Sequence, residues 1–451
     1  MKALPPDFCS RISEQLPEEA AQLLAALDTN PPISLRINPK KLQAYENGIP
    51  MLWHQEGYYL VERPSFTLDP LFHAGAYYVQ EASSMLISQV LETEKYDKIL
   101  DLCAAPGGKS TLLASAMQPH TVLISNEVIR ARAGILSENM TKWGSPNVIV
   151  THNDPRHFGA LKSYFDLIVI DAPCSGEGMF RKDTDSRKEW SLANVEMCAA
   201  RQMRIVADII PALAEGGHLI YATCTFSEAE NEGLIFHILK EFPEMEIAPV
   251  ALDEKWGLVA AEIEGVKNAA YRCYPHKLQG EGFFFCRLQK KGEKPQKEEV
   301  FISPKNKKDA KKAPFPEKEI ARFLHTYKAE NIEIYEENIF YLTPEVKETL
   351  RDLARFHFVK KGVLIGKIQG KDFNPAHEWA LCPEVATDLP VIDLDLAQAL
   401  DYLRKNDLPN EAEYPNGWAL ARFEGVNLGW IKVTPQRLKN HFPVNWRIKH
   451  L

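Results

Sequence analysis

Residues 101–110 read DLCAAPGGKS, in which the end of a short apolar run leads through a glycine-rich loop into a predicted helix. Glycines let the backbone approach a ligand closely, and Pro106 stiffens the turn. Backbone amides at the start of the following helix point at whatever occupies the loop. The stretch therefore predicts a nucleotide-type binding loop at the end of a strand.

Two kinds of nucleotide loop compete for this stretch. A Walker A loop needs a glycine five residues before Gly108, where this chain has Cys103, and the loop is too short to wrap a triphosphate. A doubly wound adenosine site instead needs an acid about 20 residues further on, at the end of the second strand. Glu127 lies there, and Asp154 follows the third predicted strand. Either acid alone is compatible with an ordinary strand-end cap, but the pair favours the adenosine site.

Short apolar runs alternate with predicted helices around this loop. The predicted strands read KILDLCA (98–104), TVLISNEV (121–128), NVIVTHND (147–154), FDLIVIDAP (165–173), HLIYATCTF (218–226) and GFFFCRLQK (282–290). The predicted helices lie near 109–117, 129–142, 189–213 and 227–241. This alternation predicts a parallel sheet with helices on both faces, and near-continuous apolar strands fit a sheet buried on both sides.

The composition limits the class of protein. The chain has 451 residues, 45% hydrophobic and 25% charged, with a formal net charge of −8. Such values favour a globular protein of about three domains. The eight cysteines lack zinc-finger spacing, which favours a reducing compartment and no metal site. With no secretory signal and no run of about 18 apolar residues, we expect a cytoplasmic monomer that does not enter a membrane.

Two predicted strand ends each carry a cysteine. The fourth strand ends DAPCSGEGMF (171–180) and the fifth ends YATCTF (221–226), so Cys174 and Cys224 reach one crevice if the two strands are neighbours. A buried free cysteine is usually only a small hydrophobic side chain. These two stand at strand ends beside small or polar residues, where this kind of fold places its chemistry.

A thiol beside an activated methyl donor suits a particular reaction. Carbon 5 of cytosine is a poor nucleophile, but a thiolate that adds at carbon 6 turns the ring into an enamine whose carbon 5 can attack a methyl group. A carboxyl group at ring nitrogen 3 favours that addition, and Asp171 is the candidate. A base must then remove the carbon 5 proton so that the thiol can leave, as in other covalent catalysis. The Pro-Cys pair at a strand end favours Cys174 as the nucleophile.

The motifs DLCAAPGGKS, SNE, HND, DAPCSGEGMF and YATCTF, in this order and spacing, resemble the Sun family of RNA (cytosine-5) methyltransferases. The segments ISLRIN, AGAYYVQEASSML and GEGFFFCRL resemble the same family, so the similarity covers about residues 30–290. The ending GWIKVTPQRLKNHFPVNWRI resembles a bacterial branch that carries a C-terminal PUA-like RNA-binding module and acts on small-subunit ribosomal RNA.

The resemblance implies a Rossmann-like methyltransferase core that uses S-adenosyl-L-methionine. It makes Cys224 the nucleophile and Cys174 the thiol that assists product release, which reverses the order that the strand ends favour. Asp171 and Lys109 complete the predicted catalytic set. The predicted cofactor-binding residues are Cys103, Ala104, Ala105, Pro106, Gly107, Gly108, Lys109, Glu127, Asp154 and Asp171.

The expected fold class is therefore α/β, with a Rossmann-like core between an N-terminal α+β extension and a C-terminal PUA-like region. The extension is expected to contain an amphipathic helix from Asp7 to Leu27, and a second amphipathic helix is expected within 66–91. The predicted domains are an RNA-binding extension (1–65), the methyltransferase core (66–290), a basic linker (291–318) and a C-terminal region (319–451) with its PUA-like module at about 386–451.

The expected partner is ribosomal RNA of the small subunit. Arg181 and Lys182 are candidates to hold its phosphate, and the basic, aromatic stretch from Trp418 to Leu451 suits RNA by charge and stacking. Most of those aromatic side chains are equally compatible with a protein core. Three alternatives stay open: methylation of a ribose oxygen or an exocyclic amine, the same cytosine chemistry on tRNA, and a non-catalytic ribosome-assembly factor.

Overall fold

The N-terminal part consists of helices and a small antiparallel sheet. The computed structural model describes residues 3–293, 317–370 and 372–449. The first elements are α1 (Pro6–Gln15), α2 (Ala20–Ala26), β1 (Ile33–Ile37), β2 (Ile49–Met51), β3 (His54–Leu60), α3 (Pro70–His73) and β4 (Tyr77–Tyr78). The strands pair in the order β2-β3-β1-β4.

Two helices expected in this part are wrong in extent. The helix expected from Asp7 to Leu27 is two helices, because Pro17 has no backbone N–H and disfavours helical geometry in the residue before it. The amphipathic helix expected within 66–91 is replaced by α3, β4 and 3-10 turns at Ser83–Val90. A continuous helix cannot form here because Gly75 has φ +65°, outside the helical region. A Cβ atom at this position would lie 2.0 Å from the carbonyl oxygen of Lys142.

The central part alternates strands and helices as the sequence predicts. The strands are β5 (Lys98–Asp101), β6 (Val122–Asn126), β7 (Val148–Thr151), β8 (Phe165–Asp171), β9 (Leu213–Thr223), β10 (Met245–Ile247), β11 (Val259–Ile263), β12 (Val266–Cys273) and β13 (Phe283–Lys290). The helices are α4 (Gly108–Ala116), α5 (Arg130–Trp143), α6 (Pro155–Phe158), α7 (Ser186–Glu189), α8 (Leu192–Ile209) and α9 (Glu232–Glu241).

The parallel strands run in the spatial order β7-β6-β5-β8-β9. The strands β13, β12 and β11 continue the sheet beyond β9 in antiparallel fashion, and β10 pairs with β13. The strand order reverses between β5 and β8, which is where doubly wound sheets bind their ligands. The carboxyl ends of β5, β6, β8 and β9 therefore open onto one crevice.

Both faces of this sheet are buried. Along β8, Ile168 and Ile170 belong to one apolar cluster with residues of α8 and α9, whereas Leu167 and Val169 belong to another with residues of α4 and α5. All four side chains are 0% exposed. Alternate residues of a strand point to opposite faces, so this continuous apolar run holds helices on both sides of the sheet.

The C-terminal part adds a strand to the central sheet. Its helices are α10 (Glu317–Ala321), α11 (Pro344–Asp352), α12 (His377–Ala380) and α13 (Leu396–Leu403). Its strands are β14 (Ile332–Tyr335), β15 (Asn338–Tyr341), β16 (Phe358–Lys361), β17 (Val363–Gln369), β18 (Asp372–Pro375), β19 (Val391–Asp393), β20 (Leu408–Pro409), β21 (Gly417–Phe423), β22 (Val426–Val433) and β23 (Arg437–Asn440).

Strand β16 pairs antiparallel with β7, while Val346 and Leu353 enter the core cluster next to α8. The C-terminal part thus covers the β7 edge, which would otherwise expose unpaired backbone groups.

The aromatic residues near the C-terminus lie mainly in a protein core. Trp430 is 0% and Phe442 1% exposed, so neither can stack on a base. Trp418 is half-buried and lies under the Lys432 ammonium, 5.3 Å from the ring centroid. The sheet of this module runs in the order β19-β21-β22-β23-β20. Its apolar cluster includes Ala74 from the N-terminal part, which ties the two ends of the chain together.

Two further expectations concern the rest of the chain. The basic linker expected at 291–318 lies largely outside the described residues. In the parts of the chain that the structure describes, no helix has the length and apolar character needed to cross a membrane.

His377, at the start of α12, lies where the N-terminal, central and C-terminal parts meet. Its ring contacts Phe442 and Trp446 edge-on, with centroid distances of 5.1 and 5.2 Å. Within the described ranges neither ring nitrogen has a hydrogen-bond partner. Burial and nearby positive charges lower the pKa of His377 to about 3. Those charges belong to Lys142, Lys41 and Lys405.

We predict that His377 makes the protein less stable as the pH falls below 6.5. The unfolded chain binds a proton near the ordinary pKa of 6.5 and the folded chain only near 3, so protons favour unfolding across that window. At pH 5 this amounts to about 1–2 kcal/mol. Between pH 7 and pH 5, urea unfolding should therefore show a smaller loss of stability in His377→Phe than in the wild type. His237→Phe, at an exposed position, is the control and should lose as much as the wild type.

Candidate active site

The glycine-rich loop joins β5 to α4 at the centre of the crevice. Gly107 has φ +120°, a conformation that side chains rarely allow, and α4 begins at the next residue. Asp101, the last residue of β5, is fully buried and accepts a hydrogen bond from the Ser110 hydroxyl at 2.7 Å. Burial raises the pKa of Asp101 to about 7. Its Oδ1 is buried and has no hydrogen-bond partner among the described residues, so a ligand at the loop can still use it.

Two cavities open at the carboxyl edge of the sheet. The larger has a volume of about 560 Å³ and the smaller about 270 Å³. Of the predicted loop residues, Cys103 and Ala105 line both cavities; Gly107 lines neither. The remaining loop residues lining the smaller cavity are Ala104, Pro106, Gly108 and Lys109. The loop therefore separates the two cavities, which the sequence did not reveal.

The two predicted strand-end acids both line the larger cavity. Glu127 is buried, accepts the Ile129 amide through Oε1 at 2.9 Å, and pairs through Oε2 with Arg132 at 3.2 Å. Asp154 caps α6 by accepting the amide of Arg156, and the hydrogen bond from the Arg156 side chain lowers the pKa of Asp154. Each acid therefore accepts a hydrogen bond from a backbone amide two residues further on, in addition to its place in the cavity wall.

Asp171 and Lys109 form an ion pair where the two cavities meet. Lys109 Nζ lies 2.8 Å from Asp171 Oδ2 and 5.0 Å from the centroid of the Phe283 ring. Burial by itself lowers the pKa of Lys109, but the charge and hydrogen bond of Asp171, together with Asp101 and Cys224, more than offset this, so the pKa lies above its ordinary value. The lysine thus stays charged and fixes the carboxylate at the end of β8.

The two predicted thiols also lie at this meeting point. The sulfur atoms of Cys174 and Cys224 are 3.1 Å apart, within hydrogen-bonding distance. The hydrogen bond with Cys224, together with burial, raises the pKa of Cys174. Cys224 lines both cavities, whereas Cys174 lines only the larger of the two. Asp171 also lines both, so the structure brings all four predicted catalytic residues together.

The smaller cavity contains residues that the sequence reasoning did not assign to the site. They come from the loop after β4 and from the start of β13, and include Gln80, Glu81, Ser84, Glu281 and Phe283. Both segments belong to motifs that resemble the Sun family, AGAYYVQEASSML and GEGFFFCRL. That resemblance was the sequence feature from which their place in the site could have been predicted.

Arg181 does not fit the phosphate-binding role expected for it. Its side chain is 6% exposed, pairs with Glu281 at 3.1 Å and donates to the carbonyl oxygen of Gly280 at 2.6 Å. A guanidinium held by these partners instead fixes Glu281, which lines the smaller cavity. Lys182 lines the smaller cavity and is the basic residue left for a phosphate there.

A doubly wound sheet with a glycine-rich loop, strand-end acids and a cavity at the switch point defines a Rossmann-like methyltransferase core. Comparison with known proteins agrees. The family described as 16S rRNA methyltransferase RsmB/F matches residues 88–289. Two models specific to RsmF match residues 4–82, as its N-terminal domain, and 389–448, as its PUA domain.

Curated relatives match over most of the chain. The ribosomal RNA small subunit methyltransferase F of Shewanella loihica is 31% identical over 87% of this chain and 82% of its own length. The protein of the same name from Vibrio cholerae is 29% identical over 98% of this chain and 97% of its own length. The chain belongs to this family, the RsmF-like branch of the Sun methyltransferases, and its cofactor is S-adenosyl-L-methionine.

The solved structures support the same fold. A methyltransferase homolog from Pyrococcus horikoshii is 30% identical, with a TM-score of 0.54 over 63% of this chain and 94% of that one. In the described ranges, no group of three or more histidine, cysteine, aspartate or glutamate side chains is arranged to hold a metal ion.

The residues at the larger cavity fit S-adenosyl-L-methionine. Its walls combine apolar side chains such as Ile129 and Ile205 with the carboxylates of Glu127 and Asp154, as an adenosine needs. The amino-acid end of the cofactor would reach the smaller cavity beside it, where the unpartnered Oδ1 of Asp101 can accept a hydrogen bond from a cationic amino group and the amides that open α4 can receive a carboxylate. When bound, the cofactor supplies a methyl group carried on a positively charged sulfur.

We predict that Glu127→Ala weakens binding of S-adenosyl-L-methionine by about 1–3 kcal/mol, the usual cost of removing one partner of buried hydrogen-bonding groups. Titration calorimetry on the folded variant measures it. Glu196→Ala, on the exposed face of α8 and outside the cavity, is the matched control and should bind as the wild type does. Unchanged affinity in Glu127→Ala would remove this residue from the cofactor site.

Proposed function

We propose that this protein methylates carbon 5 of a cytidine in small-subunit ribosomal RNA through a covalent adduct of Cys224. The observation that carries the proposal is the 3.1 Å contact between the sulfur atoms of Cys174 and Cys224, beside Asp171, where the two cavities meet. Methylation of a ribose oxygen or an exocyclic amine needs no thiol, so paired thiols at this point support the carbon 5 reaction. The names of the relatives support ribosomal RNA as the substrate.

The larger cavity holds the adenosine of the methyl donor, whose amino-acid end reaches Asp101, and the rest of the smaller cavity holds the target base. Cys224 and Asp171 line both, so a base in the smaller cavity can touch the thiol while it faces the donor. A paired base cannot enter such a cavity, and the nucleotide has to be unpaired or flipped out, at a cost of a few kcal/mol. Lys182 supports the adjacent phosphate, and the N-terminal extension and C-terminal module provide further contacts to the RNA.

Cys224 begins the reaction by forming a bond from its sulfur to carbon 6 of the ring. The proton that it loses ends on ring nitrogen 3, and Asp171, fixed by Lys109, passes it there. The ring is then an enamine, and its carbon 5 is nucleophilic enough to take the methyl group. This division of one difficult step into easier ones is the advantage of a covalent intermediate.

Cys174 completes the reaction by removing the proton from carbon 5. In the free enzyme the hydrogen bond and charge of Cys224 help to raise the pKa of Cys174. Once Cys224 is bonded to carbon, both effects disappear, so Cys174 can lose its proton to water and act as the base. The electron pair of the broken C–H bond re-forms the carbon 5–carbon 6 double bond and expels the Cys224 sulfur as a thiolate. Asp171 then returns the proton from ring nitrogen 3 to that thiolate, which leaves a neutral product and the starting thiol.

We predict that the two thiols fail differently when each is replaced. Cells that lack the gene and express Cys174→Ala should accumulate protein covalently bound to RNA, visible as a ribonuclease-sensitive shifted band on a denaturing gel. Cys224→Ala should form no such band and leave no 5-methylcytidine, because it cannot form the adduct. Bisulfite sequencing of ribosomal RNA from the same cells locates the modified cytidine.

The control is Cys198→Ala, a buried thiol on α8 outside both cavities, which should methylate normally. A band in Cys224→Ala but not in Cys174→Ala would reverse the two roles. Full activity in both variants would rule out the thiol mechanism. Modification of tRNA but not of ribosomal RNA would leave the chemistry intact and correct the substrate.

A further inference from the structure

The loops that carry the two thiols are held by two adjacent buried residues that take no direct part in the reaction proposed above. Glu230 and Asn231 are both 0% exposed and immediately precede α9. Neither lines either cavity. A buried carboxylate is costly unless hydrogen bonds satisfy it, so its partners show what it does for the structure.

Glu230 binds the Cys174 loop. The amide of Ser175, the residue after Cys174, donates to Glu230 Oε2 at 3.0 Å, and the Ser175 hydroxyl donates to Oε1. Gln202 on α8 donates to the same carboxylate at 2.8 Å and to the carbonyl oxygen of Pro173 at 3.2 Å. The two neighbours of Cys174 are therefore both held: Ser175 by the Glu230 carboxylate, and Pro173 by Gln202, which is itself bound to Glu230.

Asn231 binds the Cys224 loop in a matching way. It accepts a hydrogen bond from the hydroxyl of Thr223 at 2.6 Å and donates to the carbonyl oxygen of Thr225 at 3.0 Å. These are the two residues that flank Cys224. The Gly178 amide also donates to the carbonyl oxygen of Cys224 at 2.9 Å, which is a contact with the Cys174 loop that does not pass through the Glu230 carboxylate.

The two anchors are also linked by a contact between hydroxyl groups of the two loops. Ser175 Oγ and Thr225 Oγ1 lie 2.9 Å apart, and because the single proton of Ser175 goes to Glu230, Thr225 donates to Ser175. The loops thus form a chain of hydrogen bonds that ends on one side at Glu230 and on the other at Asn231. The distance between the two sulfur atoms depends on this chain.

We propose that Glu230 and Asn231 are positioning residues with separate tasks: Glu230 places Cys174 for product release, and Asn231 places Cys224 for attack on the base. The inference rests on the function proposed above and extends it to residues that do not touch the substrate. Loss of Glu230 leaves the Ser175 amide and Gln202 without their acceptor, so the Cys174 loop shifts while the Cys224 loop keeps its own anchors. Adducts then form but are resolved slowly.

The test is the covalent-RNA assay with the full-length chain in cells that lack the gene. Glu230→Ala should accumulate a ribonuclease-sensitive covalent band, as Cys174→Ala does, with release of the adduct slowed roughly 10- to 100-fold, as expected for a catalytic group displaced by about 1 Å. Ser175→Ala, which removes only one hydroxyl, should give a weaker band and covers the case in which Glu230→Ala fails to fold. The double variant Glu230→Ala/Cys224→Ala should give no covalent band, because the adduct cannot form without Cys224.

Two variants serve as controls. Glu230→Gln should methylate nearly normally, because its amide oxygen can accept the Ser175 N–H and its NH₂ group can donate to the Ser175 hydroxyl oxygen. Glu228→Ala removes an exposed carboxylate from the same loop and should behave as the wild type. In a Cys174→Ala background, Asn231→Ala should weaken the covalent band, whereas Glu230→Ala should not.

The outcomes distinguish a failure of the positioning role from a failure of the proposed function. If Cys174→Ala traps RNA but Glu230→Ala and Ser175→Ala only lose methylation without a band, the positioning role is wrong and the proposed function stands. The same holds if Glu230→Ala loses affinity for S-adenosyl-L-methionine by calorimetry, which would indicate general misfolding of the core. If Cys174→Ala itself traps no RNA, the covalent mechanism fails and the positioning role fails with it.

Discussion

The parallel ladder between β8 and β9 is the interaction on which the site depends. It places Asp171 opposite Ala222, and just beyond the end of β8 the Ala172 amide donates to the Ala222 carbonyl oxygen at 2.8 Å. This register brings Cys174 and Cys224 level, although 50 residues separate them along the chain. A slip of one residue would turn the side chains of one strand to the opposite face and separate the thiols.

Buried carboxylates extend this arrangement outward from the thiols. Glu177, 0% exposed, accepts the Phe226 amide at 3.0 Å and the Trp190 indole N–H at 2.9 Å, and pairs with Arg11 of α1 at 2.6 Å. Such groups are tolerated in a core because their partners satisfy them, and removal of one partner is strongly destabilising. The N-terminal helix is thereby coupled to the loop that follows Cys224, so it is a structural part of the site.

The C-terminal part has a structural role in addition to the RNA contacts proposed for it. Strand β16 extends the central sheet beyond β7, and Lys98 of β5 pairs with Asp352 of α11 at 3.3 Å. The Tyr164 hydroxyl donates to the same carboxylate at 2.6 Å. The burial of Trp430 and Phe442 shows that the aromatic pattern of this part serves mainly its own core. Its exposed basic residues, such as Arg437 and Lys439, remain available for charge contacts.

The central fold could be predicted from local sequence signals, because continuous apolar strands and the loop DLCAAPGGKS together indicate a buried parallel sheet with a ligand at its carboxyl edge. The strand-end residues Glu127, Asp171, Cys174 and Cys224 could also be identified, since each stands where an apolar run ends, but that the ends of β8 and β9 are neighbours came from the sheet order. The break between α1 and α2 could also have been predicted from the sequence, because Pro17 disfavours a continuous helix. Such local signals need no knowledge of distant contacts.

Features that depend on contacts between distant segments could be seen only in the folded chain. Three such features are the ion pair of Arg181 with Glu281, the pairing of β16 with β7 and the hydrogen bonds of Glu230. Each is a contact between residues that lie far apart in the chain. Local propensity and periodicity carry no information about such pairings, because the free energy that fixes them comes from packing and from satisfying buried polar groups. For the same reason, the division of the crevice into two cavities that share Cys224 was visible only in three dimensions.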